Sequence, residues 1–145
     1  MKLSALYQIF LDCQSVTTDS RNCPDGSLFI ALKGESFNGN AFAKLALDSG
    51  CAFAIIDEIQ YAIEGDQRYI LVDDCLQTMQ QLANYHRRQL GTRVIGITGT
   101  NGKTTTKELI SSVLCQAHNV LYTLGNLNNH IGVPTTLLRL SLIHI

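Results

Sequence analysis

Apolar residues fall at Leu3, Leu6, Tyr7, Ile9, Phe10 and Leu11, with Ser4 and Gln8 between them, and this spacing predicts a short amphipathic helix over residues 3–11. Val16-Thr17-Thr18 is β-branched and predicts a strand running into Asp19-Ser20-Arg21, with a turn at Asn22-Cys23-Pro24-Asp25-Gly26. The unbroken run Leu28–Leu32 predicts a buried strand, and Asn38-Gly39-Asn40 a second turn. A helix is predicted over 41–47, closed by Gly50. Strands follow over Cys51–Ile56 and Tyr69–Val72, then a helix from Cys75 to about Arg88 with Asp73 or Asp74 as its cap.

Gly91-Thr92 breaks this pattern and marks a domain boundary, giving domains of residues 1–90 and 91–145. Val94-Ile95-Gly96-Ile97 is apolar without alternation, as in a strand covered on both faces of a parallel sheet. A helix over 104–117 places Leu109, Ile110, Val113, Leu114 and Ala117 on one face, and Val120–Thr123 predicts the next strand. Strand, helix and strand in this order form a βαβ unit, so the fold class is α/β: a small N-terminal α/β domain, then the start of a second domain built on a parallel sheet.

Hydrophobic residues make up 46% and charged residues 16% of the chain, which excludes a disordered, charge-rich protein. The formal net charge is −1, and the only adjacent basic pair, Arg87-Arg88, reads as a solvated helix end, so no nucleic-acid partner is expected. The five cysteines (Cys13, Cys23, Cys51, Cys75, Cys115) show no metal-ligand spacing with one another or with the four histidines, and read as reduced, mostly buried thiols of a cytoplasmic protein. No run of about 18 apolar residues exists, so no membrane insertion is expected.

The segment Thr98-Gly99-Thr100-Asn101-Gly102-Lys103-Thr104-Thr105 sits between a predicted strand and a predicted helix. Gly99 and Gly102 permit a tight turn and close approach to a ligand, and the helix N-terminus that follows attracts anions. Lys103 can place a charge on terminal phosphates, and the Thr104 hydroxyl can ligate Mg²⁺. The strict P-loop pattern wants a further glycine where Ile97 stands. The alternative is a structural glycine turn that happens to contain Gly-Lys-Thr.

Taken whole, Thr-Gly-Thr-Asn-Gly-Lys-Thr-Thr resembles the ATP-binding signature of the Mur ligases and folylpolyglutamate synthases, whose P-loop is shortened in just this way. The resemblance assigns Gly99, Thr100, Asn101, Gly102, Lys103, Thr104 and Thr105 to ATP, with Lys103 catalytic and Thr104 a ligand of Mg²⁺. Thr18-Asp19-Ser20-Arg21, Gly26–Gly34 and Asn38–Phe42 are similar to the uridine-nucleotide-binding domain of the third and fourth Mur ligases. By that likeness Thr18, Ser20 and the loop Glu35-Ser36-Phe37 hold the UDP end of the substrate; without it, Asp19-Ser20-Arg21 is only a capped turn. Gly125-Asn126-Leu127-Asn128-Asn129-His130-Ile131-Gly132-Val133-Pro134 resembles the branch of the family that adds D-alanyl-D-alanine, and puts Asn128 and Asn129 on the sugar–peptide substrate.

The implied reaction is ATP-dependent ligation of D-alanyl-D-alanine to UDP-N-acetylmuramoyl-tripeptide in peptidoglycan synthesis. The tripeptide carboxylate is activated as an acyl phosphate, and a full-length enzyme is expected to be a monomer. Two alternatives stay open within the resemblance: an amino-acid-adding Mur ligase, and a non-catalytic fragment that only binds uridine nucleotide or ATP. A small kinase or GTPase would need an Asp-bearing second strand or a guanine-reading motif, and neither is present. The resemblance runs to about Arg139. Leu140–Ile145 has no charge and no turn former, and one choice of codons for it matches a transposase adapter end. These six residues are therefore expected to be translated adapter, and the chain to be an incomplete ligase.

Overall fold

The computed structural model describes residues 2–125 and 127–140. Asn126 and the expected adapter segment beyond Leu140 lie outside the described residues. The chain divides into two compact units, Met1–Leu82 and Ala83–Ile145.

In the first unit, α1 (Leu3–Asp12) buries Leu6, Tyr7 and Phe10, the stripe that its apolar spacing dictates. Four short strands follow, β1 (Val16–Thr17), β2 (Leu28–Ile30), β3 (Phe53–Ile56) and β4 (Tyr69–Leu71). They pair in parallel in chain order, with Val16 opposite Leu28, Leu28 opposite Phe53 and Ala54 opposite Tyr69. All three residues of β2 are buried, as an unalternating apolar run requires of a central parallel strand. The helix predicted from Ala41 begins instead as a 3₁₀ turn, Gly39–Phe42, and becomes α2 only over Ala43–Asp48. The Asn38 side chain caps that turn through the Asn40 N–H at 3.0 Å, so the tighter start is set by a local hydrogen bond that periodicity does not register. The first unit ends within α3 (Cys75–Leu90), whose Cys75, Met79 and Leu82 are buried in the core. Asp74 is its cap, taking the Gln77 N–H on Oδ1 at 2.6 Å.

The second unit carries α4 (Lys103–Leu114) and α5 (Gly132–Leu138). The strands predicted over Val94–Ile97 and Val120–Thr123 are not formed, and Val94 and Ile95 are exposed rather than covered on two faces. Among the described residues every paired strand belongs to the first unit, and a segment without a ladder partner is no strand however apolar it is. The predicted apolar face of α4 is likewise uncovered, with Leu109 and Val113 exposed and Ser111 buried instead.

Candidate functional site

In the second unit the loop before α4 is shaped by two glycines. Gly102 has φ +76° and Gly99 φ +149°, both in the region that side chains disfavour, and Gly102 is the residue that admits the chain into α4. No side chain caps this helix. The helical ladder begins with the Thr106 N–H on the Gly102 carbonyl at 2.9 Å, which leaves the N–H groups of Lys103, Thr104 and Thr105 without intrahelical acceptors. Free donors of this kind, together with the helix dipole, are suited to an anion.

Lys103, at the first turn, folds back over the loop. Its ammonium donates to the Gly99 carbonyl and lies 3.4 Å from that of Thr100. A cleft of about 130 Å³ opens beside it, lined by Ile95, Ile97, Lys103, Thr104, Lys107, Thr123, Gly125 and Asn128. Thr100, Asn101, Thr104 and Thr105 are exposed around it. Asn128 is thus brought to the same cleft as Lys103 and Thr104. Asn129 is held differently: its Oδ1 accepts the N–H groups of Ile131 (3.2 Å) and Gly132 (2.7 Å) and so starts α5. Gly132 is needed there because a Cβ would lie 2.6 Å from the Leu127 backbone. Lys107, one helical turn after Lys103, was not singled out from the sequence, although the i, i+4 spacing would have put it on the same face.

In the first unit, parallel pairing sends the segments after β1, β2 and β3 to one edge of the sheet, the edge where ligands of open parallel sheets bind. After β1, Thr17 rather than Thr18 staples the turn, its hydroxyl donating to the carbonyl of Asn22 at 2.9 Å and accepting the Asp19 N–H at 3.2 Å. Arg21 clasps the Asp19 carboxylate through Nε (2.9 Å) and Nη2 (2.8 Å), and these hydrogen bonds hold that carboxyl down at about 2. Thr18 and Ser20 are half-buried within this turn. After β2, Lys33 and Asn38 pair across a tight turn closed by the Gly34 N–H on the Phe37 carbonyl at 3.0 Å. Glu35, Ser36 and Phe37 are exposed at its tip.

That tip is anchored by a buried polar hub that the sequence pattern did not reveal. Asn40 donates from Nδ2 to Asp57 Oδ1 and Asn38 Oδ1, both at 2.8 Å, and its Oδ1 accepts the Asp57 N–H at 3.0 Å. Asp57 Oδ2 accepts the Cys75 N–H at 3.3 Å, and Lys33 Nζ lies 3.1 Å from Asp57 Oδ1. Burial pushes the Asp57 carboxyl up, but the bonds from Asn40, Cys75 and Lys33 outweigh it and leave the group below its ordinary value.

All five cysteines are free; Cys51 and Cys75 are buried, Cys13 and Cys23 half-buried and Cys115 exposed. Among the described residues no cluster of His, Cys, Asp or Glu is arranged to hold a metal ion, and no helix is long and apolar enough to cross a membrane.

Comparison with known proteins matches residues 12–87 to the model of the Mur ligase family, catalytic domain, and residues 97–142 to that of the Mur ligase middle domain. The chain is 47% identical over 125 residues to the UDP-N-acetylmuramoyl-tripeptide–D-alanyl-D-alanine ligase of Bacillus subtilis, covering 86% of this chain and 27% of that protein. It is 42% identical over 127 residues to the ligase of the same name from Escherichia coli, covering 88% and 27%. Among solved structures, MurF from Acinetobacter baumannii superposes with a TM-score of 0.82 at 35% identity, over 97% of this chain and 33% of that one. MurF ligase from Thermotoga maritima, in complex with ADP, gives 0.77 at 31% identity over 89% and 29%. The chain therefore spans about a third or less of the proteins it matches.

Proposed function

Because the chain belongs to the Mur ligase family, we propose that it is part of an ATP-dependent ligase that joins D-alanyl-D-alanine to UDP-N-acetylmuramoyl-tripeptide in peptidoglycan synthesis. The observation that carries this reading is the uncapped N-terminus of α4, entered through left-handed Gly102 and flanked by Lys103 and Thr104 on one cleft. The Thermotoga maritima relative with ADP supports a nucleotide there. Gly99, Thr100, Asn101, Gly102 and Thr105 surround the phosphates with backbone donors. Lys103 exchanges its carbonyl partners for phosphate oxygens and offsets the negative charge that builds up as the substrate carboxylate is activated. Thr104 would hold Mg²⁺, which when bound neutralises phosphate charge.

The sheet edge of the first unit takes the uridine nucleotide. Thr18 and Ser20 lie in a turn made rigid by Thr17 and by the Asp19–Arg21 pair, and Glu35, Ser36 and Phe37 form the opposing tip. Asn128 faces the cleft and reaches toward the sugar–peptide, while Asn129 shapes that segment and offers its remaining amide hydrogens. On this reading residues 1–90 form the uridine-nucleotide domain and 91–145 the start of the ATP-binding domain. The gap between the two matched stretches, 12–87 and 97–142, supports that boundary. The whole enzyme acts as a cytoplasmic monomer. Calorimetry with ATP–Mg²⁺ and a UDP-sugar, titrated separately into this chain, tests the two sites. Two independent binding events are expected, and binding of neither nucleotide sinks the reading.

A further inference from the structure

Lys107 has no role in the reading above, yet its surroundings are unusual for a helix lysine. Its side chain is only 14% exposed. Its Nζ donates to the Thr123 carbonyl at 2.7 Å, lies 3.5 Å from that of Gly125 and 2.9 Å from Glu108 Oε1, and sits 5.7 Å from the centre of the Tyr122 ring. An ammonium has three hydrogens to donate, and this one has three oxygen neighbours, two of them main-chain carbonyls of one segment. Confining so flexible a side chain is costly in entropy, so the contacts have to outweigh that loss.

In sequence, the segment it grips ends three residues before Asn128. Tyr122–Gly125 forms no strand and has no sheet to hold it, and the chain turns at Gly125 with φ +53°. Beyond it, Asn128 lines the same cleft as Lys103, Thr104 and Lys107. Lys107 stands one turn along α4 from Lys103, so the helix whose N-terminus faces the phosphate site also carries the clamp. We propose that Lys107 is a positioning residue: it fastens the Tyr122–Gly125 segment to α4, and thereby sets Asn128 at the cleft beside the phosphate loop. The inference rests on reading that loop as the ATP site and Asn128 as a substrate contact, but the clamp itself can be tested without either.

The first measurement uses this chain alone. In Lys107→Met the carbonyl ¹³C resonances of Thr123 and Gly125 should shift as they lose a charged donor, while those of Leu28–Ile30 stay in place. Unchanged Thr123 and Gly125 resonances overturn the clamp whether or not ATP binds. The second uses the full-length ligase that carries this chain. Lys107→Met should raise KM for the UDP-linked substrate about tenfold, the scale of a lost charge-assisted hydrogen bond, with KM for ATP within about twofold of the parent. Lys107→Arg, which keeps donors for both carbonyls, should recover most of the loss. A methionine variant with parental kinetics, or one whose defect falls on ATP alone, overturns the positioning role. A parent enzyme that forms no ligation product strikes the proposed function instead, and leaves the resonance test to judge the clamp.

Discussion

Lys103 holds its ammonium against the Gly99 and Thr100 carbonyls, at the mouth of a helix terminus with unused donors. On the proposed reading the cation is kept close to where phosphate charge would arrive, and would need only to exchange partners on nucleotide binding. In the full-length enzyme Lys103→Ala should lower the ligation rate by about 10²–10³, the usual cost of removing one preorganised charge-stabilising donor. Steady-state turnover checks this, and a near-parental rate would remove Lys103 from the chemistry. Asp57 makes a different prediction. Its carboxyl is held below its ordinary value of 3.8, so its ionised form stabilises the folded unit. That contribution is fully present above about pH 4 and fades as acid titrates the group through its lowered folded value. Denaturant midpoints of this chain should therefore fall as the pH drops below about 4 (roughly the carboxylate range), and Asp57→Asn should show a shallower fall together with a lower midpoint at pH 7. An Asp57→Asn variant with the parental slope would show that other carboxylates carry the acid sensitivity.

At the scale of elements, hydrogen bonds outside the regular ladder decide where segments start. Asn129 begins α5 with its side chain, and Gly132 lets the helix pass against the Leu127 backbone where a Cβ would lie 2.6 Å away. Gly132→Ala must therefore displace that segment, and should destabilise this part of the chain by about 1–3 kcal/mol, as overpacking does. Thermal melts followed by the Tyr122 resonances would read it, and an unchanged profile would show that the segment yields freely. The elements of the first unit were legible from the sequence because each satisfies its pattern locally: the stripe of α1, the apolar run of β2, and Asp74 before α3. The glycine loop before α4 was legible because Gly99 and Gly102 supply the positive φ that a tight turn into a helix requires. Val94–Ile97 and Val120–Thr123 were misread because a strand depends on a partner that no local pattern contains. Asn40, Asp57 and Lys107 escaped notice because polar hubs are assembled by tertiary contacts between residues far apart in sequence.

At the scale of the whole chain, stability is unevenly distributed. The buried apolar side chains belong almost all to Met1–Leu82; among the described residues only Ala83, Pro134 and Leu138 represent the second unit. Leu109, Val113, Val94, Ile95 and Leu124 are exposed there, each more than half accessible. Apolar burial contributes about 25 cal/mol per Å², so a unit that leaves these side chains in water forgoes much of the term that holds a domain together. Amide exchange protection should accordingly be highest in β2 and β3, where Leu28, Phe29, Ile30, Ala54, Ile55 and Ile56 are buried, and much lower along α4. ATP–Mg²⁺ should raise protection in α4, since a ligand that binds only the ordered loop stabilises it by mass action, by about 2.7 kcal/mol at a hundredfold excess over Kd. A UDP-sugar should act on the first unit and leave α4 unchanged. Exchange mass spectrometry of this chain with each nucleotide in turn reads all three expectations. Protection in α4 equal to that of β2 without ligand would show that the second unit is stable in its own right. A response of α4 to the UDP-sugar but not to ATP–Mg²⁺ would reverse the assignment of the two sites.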